Sequence, residues 1–283
     1  MTHVESVGVI GCGLMGAGIA QVAAASGCRT VVLEVSQALL DKGLARTRKV
    51  LDDSVAKGKL PAEDRDRTLA NLTGTTSYDD LRACDLVIEA IVENLDAKRT
   101  AYASVEAVVG EHALLCSNTS SLCITELAAT TKRPERFAGL HFFNPVPLMK
   151  LVEVVRGLAT SDDTYQRVFA FGQQLGKEPI TAPDRPGFIV NRLLIPYMLD
   201  AIRAFEGGLG TVEDIDKGMK LGCGHPMGPF TLLDFVGLDT TYYIANIMFD
   251  EFKDPAYAAP PLLKRMVLAG RLGRKSGRGF YTY

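Results

Sequence analysis

The chain has 283 residues, enough for one large domain or two moderate ones. Its residues are 47% hydrophobic and 23% charged, the balance of an ordinary globular protein with a sizeable core. The formal net charge of -2 creates no overall positive field, which argues against nucleic acid or an anionic membrane as a partner.

The stretch from Ser6 to Cys28 carries no charged side chain, and its length imitates a membrane span. Glycines interrupt it repeatedly from Gly8 to Gly27, and the first Lys or Arg is Arg29, so the basic start of a signal peptide is missing. A buried strand followed by a buried helix explains the run better. We therefore expect no membrane association and a cytoplasmic protein.

The six cysteines form no C-x-x-C pair and no spacing typical of a zinc site. Most of them lie in or beside apolar segments, which predicts reduced thiols that pack as small hydrophobic groups. Reduced thiols fit a reducing compartment. We predict no metal site.

The N-terminal elements alternate between strand and helix. Val7–Ile10 is a short apolar run rich in β-branched residues, Leu14–Ala25 is an Ala-rich helical segment, and Thr30–Leu33 is a second β-branched run. This order predicts a βαβ unit, and its right-handed crossover makes the two strands parallel neighbours.

Two consecutive helices follow this unit. Ala38–Lys57 is amphipathic, and Pro61 opens another helix near its first position. Two helices exceed what a minimal crossover needs, so we predict an inserted helical hairpin that projects from the sheet. Lys57 and Lys59 would lie at its tip, either as a solvated end or as a site that attracts phosphates.

Further strands and helices alternate up to about residue 183, which predicts a doubly wound parallel sheet of the Rossmann type. The last apolar run of this region is predicted to begin an extension of that sheet. The predicted strands are Leu86–Ile91, Ala113–Cys116, Arg136–His141 and Leu151–Val155, and the predicted helices are Ala97–Val109 and Thr164–Leu175.

The character of the chain changes at Pro183–Gly187, where two prolines and a glycine occur together. We place a domain boundary near Arg185, between an α/β domain of residues 1–184 and an all-helical domain of residues 185–283. The helices predicted in the second domain are Ile189–Phe205, Val212–Lys220, Phe230–Phe249 and Leu262–Ala269.

A glycine motif joins the first strand to the first helix. The run Gly11-Cys12-Gly13-Leu14-Met15-Gly16 matches G-x-G-x-x-G in the context that a dinucleotide site needs. Glu34 follows the second strand, where a carboxylate accepts the hydroxyls of the adenosine ribose and repels a 2′-phosphate. The pattern predicts NAD rather than NADP; the alternative is a glycine turn without a ligand and a solvated Glu34.

Dehydrogenation of an alcohol needs a group that takes the hydroxyl proton, and histidine suits this near neutral pH. Of the four histidines, only His141 ends a predicted strand of the sheet. Ligands bind at that edge in α/β proteins. Glu153 in the next strand is a candidate to orient the ring. The alternative for His141 is a core histidine whose ring nitrogens are hydrogen-bonded. The alternative for Glu153 is a carboxylate at the edge of a strand.

Six blocks of the chain resemble the L-3-hydroxyacyl-CoA dehydrogenase family, particularly its short bacterial 3-hydroxybutyryl-CoA dehydrogenases. The order and spacing of these blocks match over nearly the whole chain, which makes the resemblance specific. The blocks are GVIGCGLMGAGIAQ, DLVIEAIVENLDAK, SNTSSL, GLHFFNPVPLMKLVEVV, PGFIVNRLL and HPMGPFTLLDFVGLD.

The resemblance implies roles for individual side chains. His141 would be the general acid/base and Glu153 its orienting partner, while Ser120 and Asn191 would hydrogen-bond the reacting oxygen and the thioester. Without the family, Ser120 is a helix N-cap and Asn191 an inter-domain hydrogen-bonding residue.

The resemblance also implies residues that bind the cofactor and the substrate. Glu93 and Lys98 would form a cofactor-side pair, and Asn118 would line the nicotinamide end; from sequence spacing alone, Glu93 and Lys98 are a surface pair. On the substrate side we place Asn144, in the loop after His141, together with the hairpin lysines Lys57 and Lys59.

The function that follows is the NAD-dependent interconversion of (S)-3-hydroxyacyl-CoA and 3-oxoacyl-CoA, with short acyl groups preferred by resemblance. Long apolar helical faces in the second domain predict a homodimer. The alternatives are a dehydrogenase of a free hydroxy acid on the same fold and a non-enzymatic NAD-binding relative.

Overall fold

The computed structural model describes residues 3–283, and the chain divides into two compact units, Met1–Asp184 and Arg185–Tyr283. The first unit is built on one eight-stranded sheet with the strand order β3-β2-β1-β4-β5-β6-β7-β8. Its strands are β1 (Ser6–Ile10), β2 (Arg29–Leu33), β3 (Leu72–Thr75), β4 (Leu86–Glu89), β5 (Leu114–Ser117), β6 (Phe137–Phe142), β7 (Leu151–Arg156) and β8 (Glu178–Pro183).

The described residues of this unit form six α-helices. α1 contacts β1 and β2 and also both helices of the predicted hairpin, which lie between β2 and β3. The helices are α1 (Leu14–Ala25), α2 (Gln37–Ala56), α3 (Ala62–Ala70), α4 (Leu95–Glu106), α5 (Ile124–Ala128) and α6 (Asp162–Gln174), with short 3-10 turns at Tyr78–Leu81 and Pro134–Arg136.

The core of the first unit lies between the sheet and its helices. The central strands β1, β4, β5 and β6 are buried along their whole length, as near-continuous apolar strands of a covered sheet are. Ile19 from α1 and Phe171 from α6 pack into the same apolar cluster as Val9, Ile88 and Leu140.

The sheet is mixed rather than wholly parallel as predicted. β6 and β7 pair antiparallel, and β8 then runs parallel to β7. A parallel connection needs a crossover of a dozen or more residues, whereas the loop between Phe142 and Leu151 is too short for one. β3 and β8 were not predicted as strands.

The second unit is helical, as predicted. Its elements are α7 (Val190–Glu206), α8 (Val212–Cys223), α9 (Pro229–Val236), α10 (Leu238–Phe252) and α11 (Pro261–Leu268), with 3-10 turns at Pro255–Tyr257 and Arg274–Ser276. The prediction of one helix over Phe230–Phe249 is wrong. Gly237, with φ of 102°, lies in backbone that L side chains rarely adopt and separates α9 from α10.

Two buried carboxylates organise the packing of this unit. Asp216 accepts hydrogen bonds from the backbone N–H groups of Phe230 and Thr231 at the start of α9. Asp234 accepts hydrogen bonds from the N–H groups of Phe280 and Tyr281, so the end of the chain is attached to α9. These charge-assisted bonds leave neither carboxylate unsatisfied.

No helix among the described residues is long and apolar enough to cross a membrane.

Candidate active site

The glycine turn between β1 and α1 has the geometry of a phosphate cradle. Gly11 has φ of 99°, and a Cβ atom on Gly16 would lie 1.9 Å from the Gly11 carbonyl oxygen. A Cβ atom on Gly13 would meet no protein atom within 4 Å, so this backbone is open to an approaching group. α1 begins at Leu14 without a side-chain cap, and its first N–H groups, including those of Leu14 and Met15, favour an anion.

Glu34 lies beside this turn, directly after β2. Its Oε2 atom accepts a hydrogen bond from the Cys12 N–H at 2.7 Å, and its Oε1 atom accepts one from the Val35 N–H at 2.8 Å. The carboxylate is therefore fixed next to the backbone that a pyrophosphate would approach. Turn and carboxylate together fit NAD, since the negative charge opposes a 2′-phosphate.

His141 and Glu153 form a buried pair across the antiparallel strands β6 and β7. The two residues are direct partners in the strand register, and His141 Nδ1 lies 2.7 Å from Glu153 Oε2. His141 is 4% exposed and Glu153 is 0% exposed. A carboxylate at Nδ1 favours the tautomer with its proton there, which leaves Nε2 as the basic nitrogen.

Ser120 completes a line of three side chains. Its Oγ atom lies 2.9 Å from His141 Nε2. Ser120 does not cap a helix, because α5 begins four residues later, with Cys123 at its N-cap position. The N–H groups of Ile124 and Thr125 instead bond to the carboxylate of Asp184. The N-cap interpretation of Ser120 is therefore wrong.

Glu93 and Lys98 are not a surface pair. Lys98 is 1% exposed, and its Nζ atom lies 3.1 Å from Glu93 Oε2 and 2.5 Å from Glu89 Oε1. Glu93 Oε1 accepts hydrogen bonds from the Ser120 N–H at 3.1 Å and from the hydroxyls of Thr119 and Ser121. Burial would raise the pKa of Glu93, but Lys98 and these donors lower it below the usual value.

Glu89 is a functional candidate that the sequence reasoning missed. It ends β4, and its carboxylate accepts hydrogen bonds from Lys98 and from the hydroxyls of Tyr102 and Ser117, each of these two at 2.7 Å. The available signal was a glutamate at the carboxyl end of an otherwise apolar strand, the edge where α/β proteins bind ligands.

The remaining predicted residues fall in four places. Asn118 follows β5, and its Oδ1 atom accepts a hydrogen bond from the Phe142 N–H at 2.9 Å, joining the ends of β5 and β6. Asn144 is exposed in the loop between β6 and β7. Lys57 and Lys59 are exposed at the hairpin tip, and Asn191 lies in the first turn of α7 in the second unit.

Within residues 3–283, no group of three or more His, Cys, Asp or Glu side chains is placed to hold a metal ion.

Two family models cover almost the whole chain. Residues 6–185 match the NAD-binding domain of 3-hydroxyacyl-CoA dehydrogenase, and residues 187–283 match the C-terminal domain of the same family. The chain belongs to the 3-hydroxyacyl-CoA dehydrogenase family. The predicted family, the Rossmann-type fold class with its helical second part, and NAD as cofactor are thereby confirmed.

Individual relatives agree with this assignment. A 3-hydroxybutyryl-CoA dehydrogenase of Mycobacterium tuberculosis is 51% identical over 282 residues, covering 99% of both chains. The human mitochondrial hydroxyacyl-coenzyme A dehydrogenase is 47% identical, over 99% of this chain and 91% of its own. The crystal structure of (S)-3-hydroxybutyryl-CoA dehydrogenase from Ralstonia eutropha superposes with a TM-score of 0.95 at 49% identity, covering 99% of each chain.

Proposed function

We propose that the chain is an NAD-dependent oxidoreductase that interconverts (S)-3-hydroxyacyl-CoA and 3-oxoacyl-CoA, with 3-hydroxybutyryl-CoA and acetoacetyl-CoA as its short-chain pair. The observation that carries the proposal is the line Ser120–His141–Glu153, with contacts of 2.9 and 2.7 Å. It lies at the carboxyl end of β6, the sheet edge at which β1 opens into the glycine turn. Relatives named for this reaction support the substrate class.

The proposed proton path follows from the geometry. In oxidation, His141 Nε2 takes the proton of the 3-hydroxyl group, and Glu153 stabilises the imidazolium that forms by accepting the Nδ1–H bond. Bound NAD would supply the acceptor for the hydride that leaves C3. In the reverse direction, the imidazolium returns its proton to the oxygen at C3.

A hydroxyl group positions the reacting oxygen in this proposal. The Ser120 hydroxyl already lies 2.9 Å from Nε2, so an oxygen bound beside that nitrogen also meets a hydroxyl donor. Such a donor polarises a 3-oxo group as charge develops on it. We assign Asn191 to the thioester and Asn144 to the substrate.

We assign the Glu34 carboxylate to the adenosine ribose, Glu93 and Lys98 to the cofactor side, and Asn118 to the nicotinamide end. The exposed ammonium groups of Lys57 and Lys59 would attract the phosphates of coenzyme A.

We also propose a homodimer formed through the helical unit. Large apolar side chains are exposed there at 37–78%: Leu193, Leu209, Leu221, Phe235, Tyr243 and Leu268. A cytoplasmic location is proposed from the six cysteines, all of them free thiols.

The test compares a thioester with the matching free acid. NADH consumption is followed with acetoacetyl-CoA and then with acetoacetate at the same concentration. We expect rapid oxidation with the thioester alone. Activity on free acetoacetate would instead indicate a hydroxy-acid dehydrogenase. Binding of NAD without turnover on short or longer acyl-CoA substrates would indicate a non-enzymatic relative.

A further inference from the structure

Three charged side chains form a buried cluster, here called the charge triad: Glu89, Lys98 and Glu93. The cluster contacts the segment Thr119–Ser121 after β5, here called the Ser120 turn. Glu89 is fully buried, Lys98 is 1% exposed, and the Glu93 side chain is 24% exposed. The Lys98 ammonium lies between the two carboxylates, at 2.5 Å from Glu89 and 3.1 Å from Glu93.

The hydrogen bonds identify Glu89 as an ionised carboxylate. It accepts bonds from the Ile91 N–H at 2.8 Å, from Lys98, and from the hydroxyls of Tyr102 and Ser117. Burial and the neighbouring charge of Glu89 raise the pKa of Tyr102 well above its usual value, so the tyrosine keeps the proton that it donates.

Two carboxylates and one ammonium leave the charge triad with a net charge of -1. One carboxylate is enough to neutralise the buried ammonium of Lys98. The second carboxylate adds a desolvation cost without being needed for charge balance. Because the charge lies inside the protein, dissolved salt screens it less than a surface charge. The excess negative charge therefore acts on whatever binds nearby.

The charge triad adjoins the proposed nicotinamide end of the cofactor. Glu93 binds the Ser120 N–H and the hydroxyls of Thr119 and Ser121, the residues that follow Asn118. The nicotinamide ring is positively charged in NAD+ and neutral in NADH. A fixed negative charge at this place interacts favourably with the oxidised form only.

We propose that the charge triad biases the cofactor site toward NAD+ over NADH, and that Glu89 is the positioning residue that sets this bias. Glu89 contributes the excess charge and holds Lys98 against Glu93. The proposal rests on the NAD site proposed above and adds the redox preference of that site. The proposed preference concerns the binding of the cofactor alone and does not involve acyl-CoA.

The test is the Glu89→Gln variant, which makes the charge triad neutral. The dissociation constants of NAD+ and NADH are measured by titration of the full chain at fixed ionic strength, without acyl-CoA. We expect the ratio Kd(NAD+)/Kd(NADH) to rise roughly 10-fold, the effect of a unit charge about 10 Å away at an effective dielectric constant of about 20.

The matched control is Tyr102→Phe, which removes one hydrogen bond to Glu89 and leaves the net charge unchanged. We expect both dissociation constants to change by the same factor in this variant. If Glu89→Gln weakens the binding of NAD+ and of NADH by the same factor, Glu89 has a structural role only, and the proposal is overturned.

A second variant keeps the proposal testable if Glu89→Gln does not fold, as judged by circular dichroism. Glu93→Gln removes the same charge from the partly exposed member of the triad, and the ratio must rise there as well. If the wild-type chain binds neither NAD+ nor NADH, the proposed function and this inference both fail. If it binds them and the ratio stays constant in both variants, only the charge inference fails.

Discussion

His141 and Glu153 lie directly opposite each other on β6 and β7, so the hydrogen bonds of the sheet fix the distance between their side chains. Cross-strand partners have their Cβ atoms about 5 Å apart. That separation lets the side chains of His141 and Glu153 meet at 2.7 Å, and both residues lie on strands rather than in a loop. The acid–base pair is therefore as rigid as the strands that carry it.

The His141→Ala variant tests the assignment of the base. Turnover with acetoacetyl-CoA and NADH should fall by about 10²–10⁴-fold, the usual contribution of general acid–base catalysis. The affinity for NADH should stay within about 2-fold, because His141 contacts Ser120 and Glu153 rather than the glycine turn. Steady-state kinetics and a binding titration check the two expectations, and near-normal turnover would rule out His141 as the base.

Glu34 carries the prediction about the choice of cofactor. Its carboxylate is held at the Cys12 N–H, where a 2′-phosphate would face a like charge. Glu34→Gln should narrow the preference for NAD over NADP by about 10-fold, measured as the ratio of kcat/KM values. Asp41→Asn, the same change of charge at an exposed position of α2, is the control and should leave the ratio unaltered. An unchanged ratio in both variants would remove Glu34 from the ribose site.

At the residue scale, sequence reasoning could anticipate positions within elements. His141 lies next to the last residue of β6 and Glu34 directly follows β2, so their places at the carboxyl edge of the sheet could be predicted from the strand patterns. Their roles in binding and catalysis stay predictions. Glu89 was missed because its partners Lys98, Tyr102 and Ser117 come from two other elements. The burial of Lys98 is not readable from sequence, since lysine is rarely buried unless it is paired.

At the scale of elements, the glycine turn separates two physical roles. A Cβ atom on Gly16 would overlap the Gly11 carbonyl oxygen, which is backbone and cannot rotate away. Gly13 is exposed, a Cβ atom on it would meet no protein atom within 4 Å, and its φ of -68° suits any residue. Gly16 is therefore needed for the close packing of the helix against the strand, and Gly13 leaves room for a ligand to approach the backbone.

The paired variants Gly16→Ala and Gly13→Ala test this separation. Gly16→Ala should lower the free energy of unfolding by roughly 1–3 kcal/mol, as overpacking does. Gly13→Ala should change it by less than about 0.5 kcal/mol, yet weaken NAD binding strongly. Denaturant unfolding and cofactor titration measure the two effects. Equal stability losses in both variants would contradict the proposed division of roles.

The elements that the sequence did not reveal have weak or ambiguous patterns. β8 contains Pro179 and Pro183, which a strand tolerates at an edge because no hydrogen bond is needed on its outer side. β3 is a short edge strand with Gly74 inside it and no fully buried residue. The break at Gly237 was missed because the apolar residues on both sides continue a helical spacing across the glycine.

The stability of the protein at low pH also depends on a contact between elements. Glu93 lies in the connection between β4 and α4 and accepts a hydrogen bond from the Ser120 N–H. Its folded-state pKa is lowered, so its stabilising contribution is present above the unfolded pKa of about 4.3 and is lost as the pH falls through the folded value. The stability difference between wild type and Glu93→Gln should therefore shrink below about pH 4.3. Urea unfolding at a series of pH values measures it, and a constant difference would exclude this linkage.

At the scale of the whole molecule, the helical unit has more apolar surface than its own core uses. In α8, only Val212 and Asp216 are buried, while Leu221 is 75% exposed near its carboxyl end. Gly218 and Gly222 lie on the same helix, and a Cβ atom on either would meet nothing within 4 Å. The helix face around Leu221 is open, with Gly218 one turn before it, and the same face of a second copy would cover it in a two-fold dimer.

Leu221→Glu places a charge on this face and should convert the proposed dimer to a monomer, because an unpaired charge in an apolar interface costs several kcal/mol. Sedimentation velocity at micromolar concentration measures the change. Leu158→Glu is the matched control, since Leu158 is 93% exposed in the first unit and its replacement should leave the dimer intact. A wild-type chain that sediments as a monomer would refute the dimer, and a dimer that survives Leu221→Glu would move the interface away from α8.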